Sequence, residues 1–466
     1  MKKTIIILCM AAGLLSCAKE SIITHEKEAG TPVSFEISMP ETKAAKTAWA
    51  SGDIVYIFFK GLAAKYLQMT YNGSSWDTAC PAGTINDSDL SVLAEAKITA
   101  IHFPVAVNVA YADSKFSFTN GGKPVFRFWL SQENRGYTLS GTTVTASISL
   151  NKPSSFAQFH IPGIQSQVND YTFACSLIRP GTCSSVDITN GSCTLEYRQY
   201  GSRMEGVADE DGVVFSGYIE NTSSAKDYVF VLSSTTNIYT LTRASKTLSS
   251  WKKYNFPALS ETGGANWSVQ AVSALYEDLG LSVKWAKCNL GSTEATDYGS
   301  NSSYYSWGET RTKSNYGSSY YVWKPYDSPT KYNVSDALTT LLPEDDAAYA
   351  ALGGNWRIPT SAEWTELNNT SNCTWTWYSN YNSSGIAGYL VTSKISGHEG
   401  NSIFLPAAGQ NIATSATSTG TDGIYWSADL QNTGSASGYT NTFYNKGHTL
   451  GIAYRYYGLK IRPVCD

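Results

Sequence analysis

Short segments with the apolar pattern of β-strands recur between residues 33 and 256. Val33–Ile37 alternates apolar and polar side chains, which predicts a half-buried strand, and Ile54–Phe59 is continuously apolar, which predicts a core strand. Asn72-Gly73 separates two strand-forming segments and predicts a hairpin, because both residues tolerate a positive φ. The same patterns predict further strands at Ile98–Phe103, Val144–Leu150, Phe156–Ile161, Tyr171–Leu177, Cys193–Tyr197, Val213–Ile219, Tyr228–Leu232 and Tyr254–Phe256.

Many short strands separated by turns are typical of β-sandwiches. A chain of 466 residues exceeds the size at which one hydrophobic core keeps growing, so two or three domains are expected. The order of the segments resembles the fimbrillin-like family of Bacteroidales surface proteins. Trp49–Ile54 is similar to that family's Trp-Gly-Asp strand entry, and Tyr71–Trp76 is similar to the hairpin that follows it. The resemblance implies two tandem Greek-key β-sandwiches, at 31–150 and 151–257, and membership among pilus subunits or their anchored relatives.

The composition changes after residue 257. Residues 258–270 contain a Ser, Thr and Gly-rich stretch typical of a linker, and nine of the thirteen tryptophans lie from Trp267 onward. The region 271–466 is therefore predicted to be a separate domain. At its start, Leu279, Leu281, Val283 and Trp285 alternate with other residues and predict a half-buried strand.

Two short helices are predicted in this domain. The first begins at Pro343, carries Glu344, Asp345 and Asp346 in its first turn, and ends at Gly353-Gly354. In the second, Thr360 and Glu363 have the spacing of a capping box. Trp364 and Leu367 share one face of the second helix, so we expect both to be buried against a sheet.

Ordered motifs across residues 276–466 resemble the Fibrobacter succinogenes major paralogous domain, a lectin-like module of exported bacterial proteins. The resemblance implies a C-type-lectin-like α+β fold with long loops on a small sheet. The motifs are Asp278–Gly291, Tyr304–Thr310, Gly353–Leu367, Gly388–Ser393, Ile403–Gly409, Tyr425–Ser427 and Tyr457–Val464.

Trp356–Thr360 also looks like a segment of formylglycine-generating enzymes. Those enzymes need a paired redox-active cysteine motif near the C-terminus, where this chain has only Cys465. A disulfide between Cys288 and Cys465, joining the two ends of the domain, is the simpler interpretation. The other pairings among the cysteines after Cys17 stay open, because connectivity cannot be read from the sequence.

The N-terminus has the pattern of a bacterial lipoprotein leader. Lys2 and Lys3 precede an apolar run, and Leu14-Leu15-Ser16 leads into Cys17. Residues 1–16 are predicted to be a signal peptide, Cys17 the acylated mature N-terminus, and 17–30 a flexible tether. The alternative is an ordinary cleaved leader with an incidental cysteine. The leader predicts an outer membrane lipoprotein exposed at the cell surface.

Composition and motifs argue for binding rather than catalysis. A net charge of −4 gives no basic face for nucleic acid. The histidines show no HExxH spacing, and GxSxG and phosphate-loop motifs are absent, so no enzyme activity and no cofactor are predicted. Asp422 and Asp429 flank Tyr425-Trp426 and suggest a calcium site, but the Glu-Pro-Asn motif of calcium-dependent sugar binders is absent.

Aromatic and amide or hydroxyl side chains are concentrated in the uncharged segment 375–382. Flat rings present apolar faces to sugars while polar neighbours bind hydroxyls, so this segment is the predicted ligand-binding loop. Trp307 and Trp426, in contrast, are expected to be core residues because they belong to fold-defining motifs. The predicted ligand-binding residues are Trp375, Trp377, Tyr378 and Tyr381.

The sequence therefore predicts a mostly β protein with an α+β C-terminal domain, in which tandem Greek-key β-sandwiches are followed by a lectin-like domain. Its predicted role is a lipid-anchored adhesive or tip-type pilus component. Its partners would be the membrane, through acylated Cys17, other pilus subunits, and a glycan or host protein. The main alternative is a non-polymerising surface lipoprotein that captures polysaccharide, and an enzyme is a further alternative.

Overall fold

The computed structural model describes residues 19–20, 31–38, 49–91, 96–103, 105–121, 128–131, 135–151, 155–164, 170–209, 211–220, 223–250, 252–260, 266–298 and 303–466. The leader, Cys17 and most of the predicted tether lie outside these residues. The described chain is mostly β, as predicted. It forms two compact units: the first contains the described residues up to Ser154 together with Gly181–Tyr197, and the second contains Ser155–Pro180 and Arg198–Asp466.

The described residues of the first part of the chain form thirteen strands and one short helix. These are β1 Lys19–Glu20, β2 Ser34–Ser38, β3 Ile54–Phe59, β4 Leu67–Tyr71, β5 Trp76–Ala79, α1 Asp87–Ser91, β6 Lys97–Phe103, β7 Asn108–Ala112, β8 Lys115–Thr119, β9 Trp129–Ser131, β10 Arg135–Gly136, β11 Thr138–Ser140, β12 Thr143–Ser147 and β13 Leu150–Asn151.

Eleven strands lie in the part of the middle of the chain that the structure describes. These are β14 Phe156–Pro162, β15 Thr172–Cys175, β16 Ile178–Arg179, β17 Gly181–Asp187, β18 Ser192–Tyr197, β19 Met204–Ala208, β20 Gly212–Ile219, β21 Lys226–Ser233, β22 Asn237–Lys246, β23 Lys253–Asn255 and β24 Ser268–Ala271.

Outside residues 299–302, the last part of the chain forms twelve strands and two α-helices. These are β25 Tyr276–Glu277, β26 Lys284–Ala286, α2 Ala347–Leu352, β27 Trp356–Arg357, α3 Ser361–Asn368, β28 Cys373–Tyr378, β29 Gly388–Ser393, β30 Ser402–Pro406, β31 Gln410–Ile412, β32 Ser415–Thr417, β33 Asp422–Leu430, β34 Ser437–Tyr444, β35 Gly447–Tyr454 and β36 Val464–Cys465. No helix among the described residues is long and apolar enough to cross a membrane.

The first unit is built around β3, which is buried on both faces as its continuous apolar sequence predicts. Val55, Ile57 and Phe59 point into one core together with residues of β2 and β12. On the opposite face, the ring of Phe58 lies 4.6 Å from that of Phe116 on β8. The backbone of β1, inside the predicted tether, pairs with β2, so that part of the segment extends the sheet.

A hairpin from later in the chain completes the first unit. β17 pairs with β8, and β18 pairs with β17, so this sheet has the order β18-β17-β8-β7. The Thr99 hydroxyl donates to the Gly191 carbonyl over 2.9 Å, which ties the hairpin to β6. The hairpin lies within the segment 151–257 that was predicted to be one sandwich. Local patterns predicted its strand β18, but the sheet that a hairpin joins depends on distant residues.

The second unit begins with a nine-stranded sheet of order β23-β14-β20-β19-β15-β21-β22-β24, to which β16 adds by pairing with β20. Its core contains stacked phenylalanines, such as Phe173 and Phe230 with ring centres 5.7 Å apart. β24 covers the end of the segment predicted as a linker and pairs with β22.

The remaining strands of the second unit form small sheets, and the largest have the orders β25-β26-β36-β27, β28-β29-β30 and β33-β34-β35. α3 packs beside the last of these sheets, and Trp364 and Leu367 are fully buried, as predicted. The predicted capping box between Thr360 and Glu363 is confirmed in both directions. Trp307 and Trp426 are buried in the core, as predicted.

Two sequence predictions in this region were partly wrong. Only Lys284–Ala286 of the predicted strand is extended, because Asp278 accepts a hydrogen bond from the Gly280 amide and Gly280 turns the chain at φ +71°. The first helix is also shorter than predicted. Pro343–Asp345 form a 3-10 turn, and Asp346 is the N-cap of α2 rather than a residue of its first turn.

The proposed disulfide between Cys288 and Cys465 is not formed, and both thiols are free. Strand register explains this result, because Cys465 lies opposite Lys284 in the β26–β36 pair. Cys288 lies beyond the end of β26, four residues from Lys284, so the register does not place the two cysteines opposite each other. The two ends of the domain are therefore joined by the pairing of β26 with β36.

The N-cap residue of α2, Asp346, is buried and titrates at an unusual pH. Its buried carboxylate accepts hydrogen bonds from the backbone amides of Ala348, Tyr349 and Ile358 over 2.8–3.0 Å. Burial raises the pKa of Asp346 to about 6, against the opposing effect of these amides. This folded-state pKa lies above the ordinary 3.8, so the folded protein holds the Asp346 proton more tightly than the unfolded chain does. The resulting contribution to the free energy of unfolding is fully present below pH 4 and is lost as the pH rises through 6.

We expect Asp346→Asn to remove this pH dependence, because the amide keeps an acceptor for the cap but does not titrate. The stability advantage of the native chain over the variant should fall by about 2 kcal/mol between pH 4 and pH 7. Urea unfolding of both chains at the two pH values measures it, and other titrating groups cancel in the comparison. An advantage that does not change with pH would contradict the expectation.

Candidate ligand-binding surface

The predicted ligand-binding segment is a strand followed by a turn, rather than a loop. Residues 373–378 form β28, and Tyr381–Ser383 form a 3-10 turn. The alternation of Thr with Trp explains the strand, because β-branched and aromatic residues favour a pleated surface. β28 lies at the edge of the β28-β29-β30 sheet, so its alternating side chains point to opposite faces.

Trp375 and Trp377 point to the inner face of this sheet. The Trp375 ring stacks on the His448 ring with centres 4.1 Å apart, and its indole N–H donates to the Leu367 carbonyl over 3.0 Å. Trp377 meets the Tyr389 ring edge-on at 5.1 Å. Burial lowers the pKa of His448, which favours the neutral form of the stacked imidazole. Both tryptophans are half-buried against the core, so they support the sheet more than they present a surface.

Tyr378 and Tyr381 lie on the outer face. Tyr378 is 37% exposed, and its ring meets that of Tyr381 edge-on at 5.4 Å. Tyr381 stacks on Phe404 of β30, with ring centres 4.0 Å apart and planes within 8°. Gly388 makes room for this stack, because a Cβ atom there would lie 2.8 Å from the Phe404 ring. The two tyrosine rings therefore lie side by side on the outer face and are held there by the stack on Phe404.

Hydroxyl groups lie further along the same face of the sheet. Thr374 and Thr376 are exposed on β28, and Thr392 and Ser402 lie half-buried on the neighbouring strands. None of the residues of β28, β29 and β30 is charged. We call this surface the tyrosine–threonine face; it consists of Thr374, Thr376, Tyr378, Tyr381, Thr392 and Ser402.

The predicted calcium ligands do not converge. Asp422 and Asp429 lie at opposite ends of β33, about 23 Å apart along the strand. The Asp429 carboxylate is occupied by the hydroxyls of Thr340 and Ser361, at 2.8 Å each, and by the Ser361 amide. Within the described ranges, no group of three or more His, Cys, Asp or Glu side chains is placed to hold a metal ion.

Three buried cations in the closing segment bind other parts of the second unit. Arg455 donates to the Tyr332 carbonyl, Arg462 to the Phe404 and Ala286 carbonyls, and Lys460 to the Ser303 hydroxyl over 2.6 Å. Burial lowers the pKa of Lys460 to about 7. A serine beside a lysine of low pKa can act as a nucleophile and its base. Here both side chains are buried and the amine lies 3.6 Å from the centre of the Tyr304 ring, so we interpret the pair as structural.

A cavity of about 410 Å³ lies beside the Trp356–Thr360 segment. Of its charged lining residues, Arg357 bonds Asp466 over 2.7 Å, and Asp346 accepts from backbone amides. Arg357 also forms two bonds to Glu363, which lies outside the lining, at 2.6 and 2.9 Å. The capping role of Glu363 follows from its spacing to Thr360, whereas its pairing with Arg357 has no such local pattern. Because the Arg357 guanidinium is held by carboxylates, the cavity has no evident anion site.

No protein-family model matches the chain, and no curated protein matches it in sequence. Among solved structures, it is similar to a candidate cell adhesion protein from Bacteroides ovatus, with 10% identity and a TM-score of 0.28 over 53% of this chain and 97% of that one. A fimbrial protein from Bacteroides ovatus is 10% identical, with a TM-score of 0.24 over 94% of this chain and 100% of that one. Candidate polysaccharide-binding proteins from Bacteroides thetaiotaomicron are 14% identical, with a TM-score of 0.23 over 52% of this chain and 96% of that one. At these TM-scores and identities, the similarities assign no function to this chain.

Proposed function

We propose that this chain is a surface-anchored lipoprotein of fimbrillin-like type that binds a glycan through its C-terminal region. The observation that carries the proposal is the tyrosine–threonine face, which combines supported aromatic rings with exposed hydroxyls and carries no charge. The lipoprotein leader supports the location, and the fimbrillin-like segment order supports an adhesive or tip-type role in a pilus.

The chemistry of the face favours a sugar as its ligand. Aromatic rings offer a flat apolar surface at low entropic cost, while hydroxyls can both donate and accept hydrogen bonds. Tyr381 is held by its stack on Phe404, so little side-chain freedom remains to be lost on binding. A face without ionised groups selects against strongly charged ligands, because these would lose hydration without gaining a partner.

We expect the double substitution Tyr378→Ala and Tyr381→Ala to weaken glycan binding at least tenfold. Truncating aromatic anchors typically costs about 1–2 kcal/mol or more each, and about 1.4 kcal/mol corresponds to a factor of ten. Binding of the detergent-solubilised protein to a glycan array measures the effect. Tyr320→Ala is the matched control, because Tyr320 is 61% exposed and lies outside this face. Equal binding by the double variant and the control would refute the proposed site.

Assembly into a pilus is a separate part of the proposal. Immunogold electron microscopy of intact cells, with antibody against residues 268–466, locates the C-terminal region. Gold at filament tips supports the pilus-tip role. Gold confined to the envelope would eliminate polymerisation and leave a tethered lipoprotein that binds polysaccharide.

A further inference from the structure

Four tyrosines form a partly exposed cluster at the end of β35. The rings of Tyr454 and Tyr456 are nearly parallel, with centres 5.5 Å apart and planes within 10°. Tyr326 meets these two rings edge-on at 5.7 and 5.1 Å, and Tyr457 meets them at 5.6 and 4.9 Å. Tyr454 is 43% exposed, and Ile452 beside it on the same strand is 52% exposed. We call Tyr326, Tyr454, Tyr456 and Tyr457 the tyrosine platform.

Arg455, which lies between Tyr454 and Tyr456 in the sequence, anchors the backbone of the platform. Arg455 is fully buried, lies over the Trp307 ring, and donates to the carbonyls of Lys331 and Tyr332. The Tyr456 carbonyl accepts a hydrogen bond from the Ser306 hydroxyl over 2.9 Å. These contacts fix the backbone on both sides of the two rings. The platform is therefore pre-organised.

The four side chains of the platform carry no charge, and the exposed Lys324 and Asp327 lie within two residues of Tyr326. Each of its rings packs against other tyrosines, and the Arg455 guanidinium beneath it is occupied by backbone carbonyls. Burial raises the pKa of Tyr456 to about 12, so its phenol stays neutral and can donate a hydrogen bond. Paired parallel rings with hydroxyl tips match a ligand that has apolar faces and many hydroxyls but no charge.

We propose that the tyrosine platform is a second binding surface for a neutral polysaccharide. This inference rests on the proposed glycan-binding function but concerns a different place in the fold. The platform is at the end of β35, whereas the tyrosine–threonine face belongs to the β28-β29-β30 sheet. A polymer long enough to contact both surfaces would bind more strongly than one that contacts a single surface, without new chemistry.

The test is affinity electrophoresis of the detergent-solubilised protein in gels that contain a neutral β-glucan, a neutral mannan or acidic polygalacturonate. We expect retardation by at least one neutral polymer, and at least a threefold weaker apparent affinity for Tyr454→Ala with Tyr456→Ala. Tyr444→Ala is the matched control, because Tyr444 is 49% exposed at the other end of the β34–β35 pair. Tyr326→Ala is a second variant that leaves β35 intact if the double variant does not fold.

The outcomes separate this inference from the proposed function. If only Tyr378→Ala with Tyr381→Ala weakens retardation, the platform proposal is overturned and the proposed binding face stands. If only the platform variants weaken it, the platform stands and the proposed face is wrong. Retardation by polygalacturonate alone overturns the platform, and retardation by no polymer overturns both. Conversion of a dimer into a monomer by the platform variants, seen by analytical ultracentrifugation, would make the platform a self-association surface and also overturn the proposal.

Discussion

Replacement of Cys17 by serine is expected to abolish lipid attachment completely and to remove the protein from the outer membrane. The predicted acyl chains are carried by the Cys17 residue, and a serine in its place does not accept them. Each buried methylene contributes about 0.8 kcal/mol to membrane binding, and stable anchoring needs more than one chain or signal. Incorporation of labelled palmitate and partition into a detergent phase measure the loss.

Cys9→Ser is the matched control for this experiment. Cys9 lies in the predicted signal peptide, so it is removed with the leader and its loss should leave labelling unchanged. Labelling that survives in Cys17→Ser would locate the lipid elsewhere. Absence of label in the native protein would favour the ordinary cleaved leader, and anchoring at the surface would then need another explanation.

Strands could be predicted wherever their pattern is local. Runs of apolar residues predict strands at Ile54–Phe59 and Phe156–Ile161, and the structure has strands at both places. The partners of a strand are not encoded locally. The β17–β18 hairpin shows this, because it extends the sheet of β7 and β8 from more than sixty residues further along the chain. Pairing between distant strands depends on complementary faces that a single segment does not reveal.

The residues of the candidate site could be predicted from the sequence, but the directions in which their side chains point could not. The aromatic segment was found, yet strand alternation turned Trp375 and Trp377 inward and left Tyr378 outward. Once the segment is recognised as a strand, its period of two predicts this division. The tyrosine platform was missed because Tyr326 reaches it from a distant loop. The spacing of Tyr454 and Tyr456 by two residues on either side of Arg455 was the available signal.

Replacement of Trp364 by alanine is expected to destabilise the second unit by about 3–5 kcal/mol, the usual cost of emptying a buried tryptophan site. The side chain is fully buried, its ring centre lies 4.7 Å from that of Trp285, and its indole N–H donates to the Trp426 carbonyl over 3.2 Å. Alanine therefore leaves a cavity and a buried carbonyl without this donor. Helix α3 itself should persist, because its capping box and the good helix propensity of alanine are unaffected.

Urea unfolding followed by circular dichroism measures this loss, with Thr365→Ala as the control. Thr365 is exposed on the same helix, so its truncation should change stability by no more than about 0.5 kcal/mol. Trp364→Phe should fall between the two, because it retains an aromatic ring against Trp285 but loses the hydrogen bond to Trp426. If Trp364→Ala costs no more than Thr365→Ala, α3 cannot be packed against the sheet as the structure shows, and the core beneath the tyrosine–threonine face would have to be assigned differently.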